Sequence, residues 1–166
     1  DRMDIIATNA LGRALHAAAY AHPRRPVNLA RHCFLDRASA EQFYPDWHGA
    51  ADAIVAILRA EAGRDPHDKD LQDLIGELST LSADFRAKWG AHDVRRHATG
   101  EKHFHHPVVG TLDLLFESAE LTSEPGWKLL IYPAEPGTPA ADALALLASW
   151  AATENRPTTT QTSERA

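Results

Sequence analysis

Cysteine is almost absent from this chain: Cys33 is the single thiol in 166 residues. That excludes an internal disulfide framework and fits a reducing, cytoplasmic compartment. Cys33 lies in an apolar run with Phe34 and Leu35 and has no activating neighbour, so it reads as packing rather than as a nucleophile. No apolar stretch approaches the roughly 20 residues of a bilayer-spanning helix, and no charged-then-apolar leader is present. Basic residues are the minority, 17 against 23 acidic, for a net charge of −6. They pair only at Arg24-Arg25 and Arg95-Arg96. A surface that neutralises phosphates needs clustered Lys and Arg, so this segment is not expected to bind nucleic acid unaided. Neither a Gly-x-Gly-x-x-Gly nor a Walker loop occurs, and nucleotide binding has no support. The Gly-x-Ser-x-Gly elbow is also missing. Ser118 and Ser123 lie near a turn without an adjacent base, the neighbours His92-Asp93 read as turn geometry, and no carboxylates are paired at catalytic spacing. An enzyme is not expected, nor a cofactor.

What is present is an ordinary apolar fraction, 44%, in a chain long enough for one domain with a buried core. A short strand is predicted around Ile5, capped into a helix over 10–20 by Asn9. Helical stretches follow over 27–35 and from a cap at Asp36. Pro45 ends the latter, and Asp46 caps a helix over 47–62, with Gly63 as its stop. Leu71, Leu74, Ile75, Leu78 and Leu81 mark the clearest amphipathic helix. Ser82 ends it and caps another that carries Phe85 and Trp89 and closes at Gly90.

After Asp93 the period changes. Residues 94–97 and 102–106 read as strands around a turn over 98–101. In 109–117, Leu112, Leu114 and Phe116 alternate with Thr111, Asp113 and Leu115. A turn over 123–126 leads to a last strand over 127–132, and Thr138 caps a final helix carrying Leu144, Leu147 and Trp150. The segregation of helices and strands is α+β: a helical first half, then a mostly antiparallel sheet that the strand near Ile5 is expected to join. Residues 1–152 form the domain. Residues 153–166, without apolar side chains past Ala152, read as a disordered tail.

Ten histidines raise the question of a metal. His103 and His105 share a face of their strand and His97 lies across the turn, but His106 points away and precedes Pro107, and no Cys or Glu pair completes a set. No metal site is assigned. The aromatic residues leave two readings open. They pack a plain core, or they line a cavity between helices and sheet together with Leu112, Leu114 and Ile131.

One ordered series of motifs bears on that choice. It contains Asn28, Cys33-Phe34-Leu35-Asp36, Phe43-Tyr44-Pro45-Asp46-Trp47 and Leu58-Arg59-Ala60-Glu61-Ala62-Gly63-Arg64-Asp65. It continues with Leu74-Ile75-Gly76-Glu77-Leu78-Ser79, Ser82-Ala83-Asp84-Phe85-Arg86-Ala87-Lys88-Trp89, His92-Asp93-Val94-Arg95 and His106-Pro107-Val108-Val109-Gly110. In this order, from about Asp4 to Trp150, the series resembles the MmyB-like regulators of actinobacteria. The resemblance implies a PAS-like sensor domain, an antiparallel sheet flanked by helices. It also implies a preceding helix-turn-helix of the xenobiotic-response-element type, which would make this chain a piece of a longer protein and would carry the DNA contacts. The implied ligand is a small apolar molecule, a fatty acid above all.

The expected pocket wall is Phe43, Trp47, Phe85, Trp89, Leu112, Leu114 and Phe116, with His92 or Arg95 anchoring a carboxylate at the mouth. The alternative is a dimerisation or interaction module with no cavity, and a homodimer fits either reading. The segment over 122–126 is shorter than the family's usual loop, and His16, His22, His32 and His48 match no family motif.

Overall fold

A computed structural model describes residues 2–91 and 100–154. The order is β1 (Asp4–Ile5), α1 (Ala10–Leu15), α2 (Ala17–Ala21), β2 (Val27–Asn28), α3 (Leu29–Leu35), α4 (Arg37–Phe43), α5 (Trp47–Arg64), α6 (Lys69–Leu81), α7 (Ala83–Gly90), β3 (Gly100–His106), β4 (Gly110–Glu120), β5 (Lys128–Ile131) and α8 (Pro139–Glu154). The fold is α+β, with the helices first and the main sheet second.

Helix starts follow the caps expected at Asn9, Asp46, Ser82 and Thr138, and Asp68 supplies one that the sequence reading left in a turn. The Asn9 side chain accepts from the Gly12 amide at 2.7 Å, Asp46 from Gly49 at 2.9 Å and Asp68 from Leu71 at 3.1 Å, each answering an amide the helix leaves unpaired. Ser82 follows α6 and caps α7 through the Phe85 amide at 3.1 Å. Thr138 caps α8 through the Ala141 amide at 3.3 Å.

Several boundaries differ from the sequence reading. Val27 and Asn28 are not helical: they pair antiparallel with Ile5 and Asp4 in a separate two-stranded ribbon, so the strand near Ile5 does not join the main sheet. The Asn28 side chain holds that ribbon by donating to the Arg2 carbonyl and the Asp4 carboxylate at 2.7 and 2.9 Å. The predicted helix over 10–20 is broken at His16, whose side chain turns into the interior. Asp36 stands at the start of α4 without a side-chain cap bond. Gly63 does not stop α5, which runs to Arg64. At this exposed helix end Gly is tolerated for a further residue at a cost of about 1 kcal/mol relative to Ala. The strand, turn and tail expected over 94–97, 98–99 and 155–166 lie outside the described residues.

Two interiors result. One is helical: Phe34, Trp47, Ile54, Leu58, Leu71, Leu74, Leu78 and Phe85 pack α3, α5, α6 and α7 together. The Glu77 carboxylate ties α6 to α3 through Arg31 at 2.9 Å and also takes Arg24. The other lies between helices and sheet: Ala14, Leu15, Phe43, Phe104, Leu112, Leu114, Leu147 and Ala151 join α1, α4 and α8 to β3 and β4.

The sheet is an antiparallel meander β3-β4-β5 in which Phe104 opposes Leu112, Lys102 opposes Leu114 and Ser118 opposes Leu130. Opposed residues share a face, so Lys102, Phe104, His106, Leu112, Leu114, Phe116, Ser118 and Leu130 look toward the helices. His103, His105, Asp113, Leu115, Glu117 and Ile131 look outward. Gly110, at φ +74°, closes the β3–β4 turn in a conformation that costs a residue with a Cβ.

Candidate functional site

The helix-facing side of the sheet has a closed end and a half-open end. At the closed end Leu112 and Leu114 are fully buried beneath Phe43 and Leu147. Phe104 stacks on Phe43 with centroids 4.9 Å apart, and Tyr44 meets both rings at 4.8 and 6.0 Å. Tyr132 continues the row at 5.7 Å from Phe104, and Phe116 follows at 5.5 Å from Tyr132. Toward that end burial falls. Phe116, Tyr132 and Lys102 are half-buried and Leu130 is 40% exposed. The aromatic row therefore runs from a sealed interior to a half-exposed end.

Two imidazoles enter the sealed end from the helical side. His16, between α1 and α2, lies 5.7 Å from Phe43, 6.2 Å from Phe104 and 6.2 Å from Tyr132. His32 on α3 lies 6.1 Å from Phe43 and 6.3 Å from Tyr44, and its Nε2 meets the Ser39 hydroxyl at 3.1 Å. Both rings are more than nine-tenths buried, and the Nδ1 atom of each has no hydrogen-bond partner. A buried polar atom left this way costs roughly 1–3 kcal/mol, so each nitrogen can take one further hydrogen-bond partner. Burial, with His32 nearby, pushes His16 down to about 4, and burial lowers His32 against the opposing pull of Asp36. Both are neutral near pH 7 and able to donate or accept one hydrogen bond. Burial also raises the Tyr44 phenol and pushes Tyr132 up to about 12, so both stay protonated.

The residues expected to form one wall are divided. Phe43, Leu112, Leu114 and Phe116 reach the helix–sheet layer. Trp47, Phe85 and Trp89 sit in the helical interior, where Phe34 packs edge-on to Trp47 and Phe85 at 5.9 and 5.0 Å and Phe85 stacks on Trp89 at 5.5 Å. The Trp47 indole donates to the Cys33 carbonyl at 3.1 Å, which fixes its ring away from the sheet. Ile131, expected on the cavity side, faces outward and is 44% exposed. His92 and Arg95 lie outside the described residues. The sequence reading missed His16, His32, Tyr44 and Tyr132 as a set. Their only signal was a high histidine count, because they come from four separate elements.

Cys33 is buried, and its thiol is pushed up to about 12 by that burial, as suits an inert packing residue. Among the described residues no three metal-ligating side chains converge. His103 and His105 point outward, with His103 paired to Asp113 at 2.7 Å. His106 points inward and its Nε2 lies 3.0 Å from the Ala14 carbonyl; His97 lies outside the described residues. No described helix is long and apolar enough to cross a membrane.

A concavity of about 470 Å³ lies elsewhere, by the small ribbon between Ile5, Ile6, Thr8, Arg13, Tyr20 and Val27. It is wide and shallow. Its two guanidiniums stack on Tyr20 at 4.4 and 5.9 Å, and Arg25 already donates to the carbonyls of Tyr20, His22 and Arg24. It offers a ligand little burial.

A family model described as MmyB-like transcription regulator ligand binding domain matches residues 1–147. No curated protein matches the chain.

Proposed function

We propose that this chain, which belongs to the family of MmyB-like transcription regulator ligand binding domains, senses a small apolar molecule such as a fatty acid in the aromatic row between its helices and its sheet. The observation that carries the reading is the pair of unpartnered imidazole nitrogens inside an otherwise apolar layer. Ligand sites are mostly apolar with a few convergent polar groups, and this layer has that character. The half-open end at Phe116 and Tyr132 is the entry. A guest that parts the stacked rings of Phe43 and Phe104 separates α4 from β3. It then favours one arrangement of the helices over another by its difference in affinity for the two. The read-out is the placement of helix-turn-helix units that precede the sensor, in a cytoplasmic regulator. With a net charge of −6, this segment leaves DNA contact to them.

Native mass spectrometry of the purified protein with added dodecanoate, together with extraction of co-purified lipid, tests the reading. A one-to-one adduct is expected. A protein that arrives empty and ignores the acid has no such ligand.

The interaction reading is favoured by a different feature, the outer face of the sheet. Leu115, Leu121, Trp127, Leu129 and Ile131 share that face and are between 37% and 53% exposed. β5 is one of the two edges of the described sheet, without the proline that commonly guards such edges. The occupant proposed is a second copy: a strand that meets itself across a two-fold axis does so antiparallel, which continues this meander. Regulators that read paired half-sites use such symmetry. Leu129→Glu is expected to turn a dimer into a monomer in sedimentation equilibrium. A wild-type chain that is monomeric at about 100 μM removes the reading, since a dimer in use at micromolar Kd would be saturated there.

A further inference from the structure

Resting on the ligand reading above, we propose that Lys102 is the ion-pairing residue that receives the carboxylate of the ligand at the mouth of the aromatic row. Lys102 opposes Leu114 across the β3–β4 ladder and therefore lies on the helix-facing side of the sheet. Its ammonium sits 5.2 Å from the centre of the Phe116 ring, at the half-open end. The other cations around this end are answered. Lys128 meets Glu61 at 3.2 Å, and Arg64 meets Glu61 and, at 3.3 Å, Glu120. Arg59 donates to the Trp89 carbonyl at 2.8 Å. Among the described residues no carboxylate lies within ion-pair distance of Lys102. Burial alone moves its ammonium below the ordinary lysine value, with no neighbouring anion holding it up.

A half-buried ammonium over an aromatic ring is stabilised by the ring only in part. A carboxylate supplied by a guest completes it with charge-assisted hydrogen bonds, stronger than neutral ones. The guest's chain then runs past Phe116 and Tyr132 toward Phe104 and the sealed end. There His16 and His32, both neutral, offer no second site for a negative charge but can bond a neutral oxygen. The geometry thus selects a monocarboxylic acid, head at Lys102 and tail inward, over the corresponding alcohol, ester or amine.

The test compares dodecanoate with dodecanol by isothermal titration calorimetry on wild type, Lys102→Met and Lys102→Arg, each first shown by thermal melting to be folded. Lys102→Met is expected to lose roughly tenfold or more in affinity for the acid, the scale of one charge-assisted contact, while its affinity for the alcohol changes less than about twofold. Lys102→Arg keeps the acid preference. Undiminished binding of the acid by Lys102→Met overturns the assignment, as does a loss that appears in Arg95→Met in its place. Both results leave the ligand reading intact. A wild-type protein that binds neither compound overturns the ligand reading and this assignment with it.

Discussion

Phe85→Ala is expected to lower the unfolding free energy by about 4 kcal/mol, within the range for removing a fully buried phenylalanine. The ring has no solvent exposure, meets Phe34 edge-on at 5.0 Å and stacks on Trp89 at 5.5 Å. It is also the one fully buried side chain of α7, so the short helix loses its anchor with it. Phe116→Ala is the control: its ring is half-buried on the sheet, with Tyr132 and Lys102 as its ring contacts, and about 1 kcal/mol is expected. Urea denaturation measures both, and the slope with denaturant shows whether the two-state comparison holds. Equal costs for the two would mean that the helical interior is not the better packed of the two layers. The same pair separates stability from binding. If the ligand lies on the sheet, Phe116→Ala weakens ligand affinity and Phe85→Ala, in conditions where it stays folded, does not.

Stability should fall in acid through the window set by His16. The ring is neutral in the folded state down to about 4, whereas in the unfolded chain it takes a proton near 6.5. Above pH 6.5 neither state is protonated and the contribution is fully present. As the pH falls from 6.5 toward 4 the unfolded state binds the proton first and is favoured. Below 4 both states are protonated and the loss is complete, at about 3 kcal/mol for a shift of this size. His32, shifted in the same direction by the same cause, adds to the effect. Chemical denaturation between pH 7.5 and about pH 4.5 measures it, with His16→Leu as the comparison. The variant's curve should be flatter across the window, because an apolar ring replacement has nothing to protonate. Wild type and His16→Leu losing stability in parallel would falsify the assignment of the acid sensitivity to this histidine.

The helical half was legible because its signals are local. Asn9, Asp46, Ser82 and Thr138 cap the helices they were expected to cap, since a cap is decided by residues three apart. The Leu71, Leu74 and Leu78 stripe is buried as its spacing requires. The alternation in β4 correctly put Leu112 and Leu114 inside. Apart from the Asp36 cap and the Gly63 stop, what failed depended on distant partners. Val27 and Asn28 carry helix-compatible residues and became a strand because Asp4 and Ile5 were there to pair with. His16 interrupts a helix that local propensity would continue, because Phe43, Phe104 and Tyr132 surround its ring.

The candidate site was the least legible part for the same reason. Its wall was chosen by aromatic identity, and Trp47, Phe85 and Trp89 are as aromatic as Phe104 and Tyr132. Only the three-dimensional arrangement shows that the former lie among helices and the latter in the layer between helices and sheet. Lys102 illustrates the point in reverse. In sequence it is one polar residue in a histidine-rich strand, and only the register with Leu114 turns it inward.

The buried residues of the helical interior come from a continuous stretch, Ala30 through Phe85, whereas those of the helix–sheet layer run from Ala14 to Ala151, most of the length of the chain. Contacts between near neighbours form quickly, and those that close long loops form late. A ribosome can therefore finish the first interior while α8 is still unmade, and the layer against the sheet waits for the last helix. The late-closing layer is also the natural place for low-energy opening in the finished molecule. The chain thus puts its permissive seam at the layer proposed to take the guest and leaves the early-formed helical block as the frame beside it.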